Sequence, residues 1–431
     1  MENNVLTQEQ ELKKFKDIME IQRIYLENYL RLIIRNRNEA NPNDKIAVSS
    51  VSSRTKSIQS IKDKFVKYQI EETVENLRNN IRDYNGHRIV CLTKEDVYKM
   101  VESLKNVEGL KIVEIKDYIK NPKESGYTAV HVIIENSSLN SADNKTTYSE
   151  IQIRTALADA LSLFEHKLVY KSNPDETVKD DLKELTFMLI TYIERSLKIL
   201  KEEETKDRKE PTEITEENLP EDISLEEYKK IKNNEPIYKA TELQLKSDIE
   251  KLKLQYNKKI ISESSRIKGV YAIYKKLLKN EKEFTEENIH SSIRDIISHK
   301  IVCLTPGDAK ELVRLIVDND EKIFKVTKVK NYVDNPKESG YRGYNVNVLI
   351  DIPFPFGQKV TIPAEIKILT AFQNVWADYE EKIVYHNEIC SEKAKKRLRV
   401  MSDMFNDIES QLEDLLKQNE KQEEAKKLIK K

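Results

Sequence analysis

The 431-residue sequence is short of glycine, with 8, and of cysteine, with 3. Neither sign of charge is in excess, since 74 lysines and arginines stand against 75 aspartates and glutamates. No apolar run approaches the ~20 residues that a membrane span requires. Each shortage excludes something. An odd count of 3 cysteines argues against a disulfide framework, and Cys91 and Cys303 recur inside matching IVCLT runs, where they suit small core residues of a reducing compartment. Balanced charge excludes a chain-wide basic field for holding nucleic acid, although local basic patches remain open. The opening MENNVLTQEQ lacks the charged-then-apolar order of a secretory signal, so a cytoplasmic location without membrane contact is expected.

Where glycine does occur it is informative. The stretch KDYIKNPKESGY, Lys116 to Tyr127, returns as KNYVDNPKESGY, Lys330 to Tyr341, with PKESGY identical in both. A glycine directly before each tyrosine implies a backbone bend or a close approach. A lysine three residues before the glycine and an aromatic after it suit a loop that holds a phosphate and a flat ring. A structural turn kept by duplication would look the same.

The rest of the chain repeats around this stretch. SSRTKS at Ser52 returns as SSRIKG at Ser264, and RDYNGHRIVCLT at Arg82 as RDIISHKIVCLT at Arg294, both at an offset of 212; EIQIRT at Glu150 returns as EIKILT at Glu365, an offset of 215. Order and spacing together exclude chance. They predict two tandem domains, 1–203 and 237–416, joined by a charged linker, 204–236, broken by Pro211, Pro220 and Pro236, and followed by a charged helical tail, 417–431.

Within the first domain, Phe15, Ile18, Met19, Leu26, Leu30 and Ile33 form a helical stripe from Glu11 to Arg37, with Gln22 its one polar member. Ser53 has the chemistry of a helix cap, which places Arg54 and Lys56 at a helix start. The apolar run through Ile89 and Leu92 predicts a core strand, and Thr93 to Leu104 a capped helix. Lys111–Lys116 and Thr128–Glu135 predict a paired hairpin, Asn136–Lys145 a polar insert, and Tyr148–Arg154 a further strand. Ala156–Tyr170 and Thr177–Glu203 then read as helices.

The polar residues that interrupt or flank these strands are Arg54, Lys56, Asp83, Arg88, Lys116, Lys123, Tyr127, His131, Glu150, Gln152 and Arg154. Asp83 and Glu150 could jointly hold a magnesium ion, which prefers oxygen ligands and the company of phosphates. The arginines and lysines of the set would neutralise a polyphosphate. The combination suits phosphoryl transfer, where positioning and charge neutralisation do most of the catalysis. Singly, each residue has a plainer explanation: a surface charge, or Asp83 paired with Arg88.

RTKSIQSI, DYNGHR, KDYIKNPKESGYTAVH, EIQIRT and LFEHKLVYK, in this order, resemble the synthetase domain of the RelA/SpoT alarmone synthetases. The resemblance spans about residues 50 to 171 and, in degraded form, about 262 to 386. It implies an α/β (α+β) fold of two tandem nucleotidyltransferase-like domains, each a mixed β-sheet flanked by helices. It also implies transfer of the β,γ-pyrophosphate of ATP to the 3′-hydroxyl of GDP or GTP, making (p)ppGpp and releasing AMP. On this chain Asp83 and Glu150 would be the catalytic, magnesium-holding pair, Glu150 alternatively taking the proton of the 3′-hydroxyl. Arg54, Lys56 and Arg88 would bind ATP; Tyr127 would stack on the acceptor base, with Lys116, Lys123, His131, Gln152 and Arg154 beside it. Assembly into a homo-oligomer through terminal helices is a further implication.

Departures bear on the acceptor. The family usually has Asn where this chain has Ser125 and Ser339, and Arg-Ser where it has Thr128-Ala129. An adenine nucleotide or the 3′ end of tRNA therefore stays open as acceptor, and so does a nucleotide-binding regulator without activity. No His-Asp cluster of the hydrolase type precedes the motifs, so degradation of the product is not expected. In the second copy Gly86 becomes Ser298, Arg88 Lys300, His131 Asn345, Gln152 Lys367, Arg154 Leu369 and His166 Glu381. Lysine lacks the bidentate fork of arginine, and leucine has no charge, so that copy is expected to be weak or silent, a structural partner or a nucleotide-sensing site.

Overall fold

A computed structural model describes residues 7–123, 126–136, 146–170, 176–203, 215–256, 258, 260–318, 323–353, 359–384 and 392–429. Ser125 and residues 137–145 of the polar insert lie outside them. The chain divides into two compact units, 1–203 and 204–431.

The first unit opens with α1, Gln8–Ala40, whose Thr7 cap accepts a hydrogen bond from the Gln10 amide while the Gln10 side chain accepts from that of Thr7. Its inward stripe is Leu12, Phe15, Met19, Gln22, Leu26, Leu30 and Ile33. Gln22 is tolerated there because its Oε1 accepts from the buried Thr147 hydroxyl at 3.2 Å. Then follow β1, Val48–Thr55; α2, Ile58–Tyr68; α3, Val74–Asn80; β2, Asn85–Cys91; α4, Lys94–Lys105; β3, Lys111–Asp117; β4, Val130–Glu135; β5, Tyr148–Thr155; and α5, Ala156–Glu165. A π-helical turn, His166–Tyr170, and α6, Glu176–Glu203, close the unit. The sheet order is β1-β2-β5-β4-β3, mixed because β2 and β5 are parallel while the other neighbours are antiparallel.

Alternation along the strands decides which face does what. Ile89, Cys91, Val130, Val132, Ile134, Ile151 and Ile153 point to one face and meet Leu26, Leu30 and Ile33 of α1 and Val97, Met100 and Leu104 of α4. The opposite face carries Arg88, His131, Glu150, Gln152 and Arg154. The core thus lies on one side and the chemistry on the other.

One expectation is corrected here. Ser53 does not cap a helix: residues 48–55 are a strand, and Arg54 lies on it beside Gly86. The Ser53 hydroxyl accepts from Arg23 at 2.6 Å and donates to Glu27, both on α1, and Ser57 instead caps α2 by accepting from the Ser60 amide. Polar alternation over a serine-rich run gave no apolar signal for the strand.

The second unit repeats the plan: α7, Leu225–Lys232; α8, Glu235–Gln255; β6, Ile260–Ile267; α9, Val270–Lys279; α10, Glu286–Ser292; β7, Ile297–Cys303; α11, Pro306–Val317; β8, Lys325–Asn331; β9, Tyr344–Pro353; β10, Lys359–Thr370; α12, Ala371–Tyr379; and α13, Glu392–Ile429. Its sheet order, β6-β7-β10-β9-β8, matches the first. The stretch expected as linker is not all linker. Tyr228 and Ile231 of α7 and Tyr238 of α8 are buried in this unit's core, because Ser224 caps a short amphipathic helix and Pro236 sits in the first turn of α8, where proline fits. The charged tail expected to be helical continues α13 to Ile429.

Cys91 and Cys303 are buried; Cys390 lies outside the described residues. Among those residues no helix is long and apolar enough to cross a membrane.

Candidate active site

The site is built from two cross-strand rows on the polar face. One row runs Glu114, Ile133, Glu150, Gly86, Arg54; the next runs Lys116, His131, Gln152, Arg88, Ser52. Gly86 leaves open space between Arg54 and Glu150, since a Cβ there would meet nothing nearer than the Arg54 carbonyl at 4.0 Å. Asp83 precedes β2, and a backbone hydrogen bond from the Lys56 amide to the Tyr84 carbonyl, 2.8 Å, brings Lys56 alongside it.

Two hydrogen-bonded clusters result. In the first, Asp83 receives Lys56 Nζ at 2.9 Å and Lys64 Nζ at 2.6 and 2.7 Å. Burial opposes the charge on Asp83, but the two ammonium groups outweigh it and hold the carboxyl below its ordinary value. In the second, Glu150 accepts from His131 Nδ1 at 2.8 Å and Gln152 Nε2 at 2.7 Å, while His131 Nε2 meets the Tyr127 hydroxyl at 2.8 Å. Burial raises the Glu150 carboxyl, and the His131 hydrogen bond and charge, helped by Gln152, overcome that and lower it. The Asp83 charge pushes Glu150 back upward. Two like charges within reach of one another would be relieved by a divalent cation between them.

Arg154 ties the second cluster together. It is 3% exposed and donates to the Tyr127 hydroxyl at 3.0 Å, Gln152 Oε1 at 2.6 Å and Ser162 Oγ at 2.8 Å, with Asp159 at 3.4 Å. Asp159 also pairs with Arg88 at 3.0 Å. The half-buried Tyr127 ring has Lys123 Nζ 4.9 Å from its centre, and the same ammonium lies 4.6 Å from the Tyr118 ring. Tyr118 sets its edge against both Tyr127 and His131.

The eleven residues expected from the sequence are therefore placed as follows. Asp83 and Lys56 form one cluster; Glu150, Gln152, His131, Tyr127, Lys123 and Arg154 form the other, with Arg88 joined through Asp159. Arg54 is exposed on β1, in the row of Glu150. Lys116 stands on the edge strand next to His131, but its ammonium pairs with Glu114 at 3.3 Å instead of joining the cluster. Sequence reasoning missed Lys64, Tyr118 and Asp159. For Lys64 and Tyr118 a signal was present, because they recur as Lys276 and Tyr332.

Among the described residues no group of three or more His, Cys, Asp or Glu side chains could hold a metal ion. The donor set nonetheless fits magnesium, which takes one or two carboxylates and fills its remaining positions with water and phosphate oxygens. In the second unit Asp295 receives Lys276 at 2.6 Å and Lys268 at 3.0 Å, and Glu365 accepts from Asn345 at 3.0 Å.

Paired carboxylates, surrounding cations and an aromatic shelf on the open face of a mixed sheet define an enzyme that handles the phosphates of nucleotides. The pattern described as the region found in RelA/SpoT proteins matches residues 53–175 and again 265–389, and the chain belongs to that family. It is 38% identical over 159 residues to GTP pyrophosphokinase YwaC of Bacillus subtilis (strain 168), a match covering 36% of this chain and 75% of that protein. It is 31% identical over 139 residues to GTP pyrophosphokinase YjbM of the same organism, covering 32% of this chain and 64% of that one. A solved structure of small alarmone synthetase 2 from Bacillus subtilis is also similar, at 30% identity and a TM-score of 0.39, covering 45% of this chain and 99% of that one.

Proposed function

We propose that the first unit is a pyrophosphokinase that moves the β,γ-pyrophosphate of ATP to the 3′-hydroxyl of GDP or GTP. The observation that carries it is a pair of carboxylates each held by its own donors, Asp83 by Lys56 and Lys64 and Glu150 by His131 and Gln152, with Arg88 and Tyr127 on the same sheet face as Glu150.

Arg54, Lys56, Lys64 and Arg88 neutralise the donor phosphates, lysine as a point charge and arginine as a fork. Asp83 and Glu150 would hold magnesium, which supplies charge neutralisation to the transferred group when bound. Tyr127 is the shelf for the acceptor base, and Lys123 faces the acceptor phosphates. The 3′-oxygen forms a bond to the β-phosphorus as the bond from that phosphorus to the bridging oxygen of the α-phosphate breaks, and AMP leaves with that oxygen. Where Glu150 is not on the magnesium, the proton of the 3′-hydroxyl passes to it, its carboxyl being ionised at neutral pH. His131 and Gln152 fix the orientation of Glu150 for that transfer.

Incubation with γ-labelled ATP and each acceptor in turn, resolved by thin-layer chromatography, tests this. Label should move to GDP or GTP. Movement only to an adenine nucleotide or to tRNA would reassign the acceptor, and no movement despite nucleotide binding would make the protein a regulator.

A further inference from the structure

The second unit keeps one half of the constellation and closes the other. On the kept half, Asp295 is clipped between Lys268 and Lys276 as Asp83 is between Lys56 and Lys64. Glu365 lies in the same cross-strand row as Ser298 and Arg266, so the second carboxylate also keeps its place. A unit serving only as a packing partner gains little from such partly desolvated charges, since apolar residues of like volume are as stabilising or more so. Arg266 is paired with Glu381 at 3.3 Å, but both side chains are 57% exposed, and an ion pair so open to water is weak enough for a phosphate to displace.

The closed half is filled by the chain itself. Tyr341 is 8% exposed, where Tyr127 is half-buried; its ring stands edge-on between Tyr332 and Trp376, and its hydroxyl donates to Asn345 at 3.0 Å. Leu369 replaces Arg154 and packs so tightly on the loop that a Cβ at Gly343, whose φ is +145°, would come within 2.3 Å of it. From α13, Arg399 and Ser402 donate to the carbonyls of Lys337 and Gly340, and Asp403 accepts from Arg342. The Tyr341 ring, with Lys337 Nζ 4.6 Å from its centre, therefore offers a base less surface than the half-buried Tyr127 ring.

We propose that the second unit is a one-substrate site: it takes the divalent cation and polyphosphate of a nucleoside triphosphate between Asp295, Glu365, Lys268, Lys276 and Arg266, and takes no acceptor base. This rests on the donor side assigned above for the first unit. Such a site binds its ligand without turning it over, and its occupancy follows the triphosphate concentration.

The test is calorimetric titration of the full chain with a non-hydrolysable ATP analogue and magnesium, and separately with GDP without a divalent cation. Trp376, the chain's only tryptophan, adds a fluorescence signal located in the second unit. Two analogue molecules and one GDP are expected per chain, with Trp376 emission responding to the analogue alone. Arg266→Ala, an exposed position that leaves the fold intact, should weaken one analogue site about tenfold. Lys276→Met combined with it should reduce the analogue to one per chain, with GDP unchanged. A single analogue site abolished by Lys56→Ala and untouched by these changes would overturn the proposal while sparing the first unit's donor side. A single site abolished only by the second-unit changes would support the proposal and remove the donor assignment of the first unit. Two GDP molecules per chain would overturn it outright.

Discussion

At the scale of single residues, the Tyr127 ring and its hydroxyl have separable duties. Stacking of a base on an aromatic ring contributes ~1–3 kcal/mol, so Tyr127→Leu should raise the acceptor KM about 10- to 100-fold while the ATP KM holds. Tyr127→Phe keeps the shelf and loses only the bonds to His131 and Arg154, so its acceptor KM should stay near that of the parent in steady-state kinetics. A second residue, His87, faces the core, is 1% exposed, and neither ring nitrogen has a hydrogen-bond partner. Burial pushes it down to about 4 from an ordinary 6.5. The unfolded chain therefore binds a proton that the folded one refuses between those values, and stability is lost as pH falls through that window, by up to about 3 kcal/mol. Urea titrations at pH 7 and pH 4.5 should show the loss, and His87→Met should remove most of it. Of the eleven site residues, Arg88, His131, Glu150, Gln152 and Arg154 were legible because each interrupts an apolar alternation, and the others because they flank such strands or lie in the repeated motifs. Lys64 was not, because a lysine on an amphipathic helix resembles any solvated one until Asp83 is seen beside it.

At the scale of elements, the strands with apolar alternation, β2, β4 and β5, were legible, and so were α1 and α4, whose stripes and caps agree. β1 was not, because Ser53 and Thr55 bond α1 through their hydroxyls rather than by burying carbon. α7 was hidden by its charge: only Tyr228 and Ile231 reach the core, too few for a clear period. α13 carries a buried acid whose environment periodicity could not give. Glu409 is 1% exposed, its Oε2 accepts from Thr370 at 2.8 Å, and its Oε1 has no partner, so burial pushes the carboxyl up to about 8. A raised acid stabilises fully below its ordinary value of 4.5, and that contribution is lost as pH rises through about 8. Glu409→Gln keeps the hydrogen bond to Thr370 and cannot ionise. Thermal melts followed by Trp376 emission should show a smaller decline from pH 6 to pH 9 in that variant than in the parent.

At the scale of the whole molecule, one plan is used twice with different endings. Both sheets have the same strand order, and both set a carboxylate between two lysines ahead of the second strand of the sheet. They differ where His131 and Arg154 give way to Asn345 and Leu369, which turns a polar, open shelf into a packed one. The duplication itself was the strongest signal in the sequence, since offsets of 212 to 215 persist across every matched segment. Closure of the second shelf was not legible, because it depends on Trp376 and α13 meeting a loop far away in the chain. The account as a whole requires that Asp83 and Glu150 act together on one transfer. The most direct measurement is the rate of pyrophosphate transfer by Asp83→Asn and Glu150→Gln, with circular dichroism as a control for folding. Loss of at least about a thousandfold in each, with the fold intact, is predicted; parental rates in either one would contradict it.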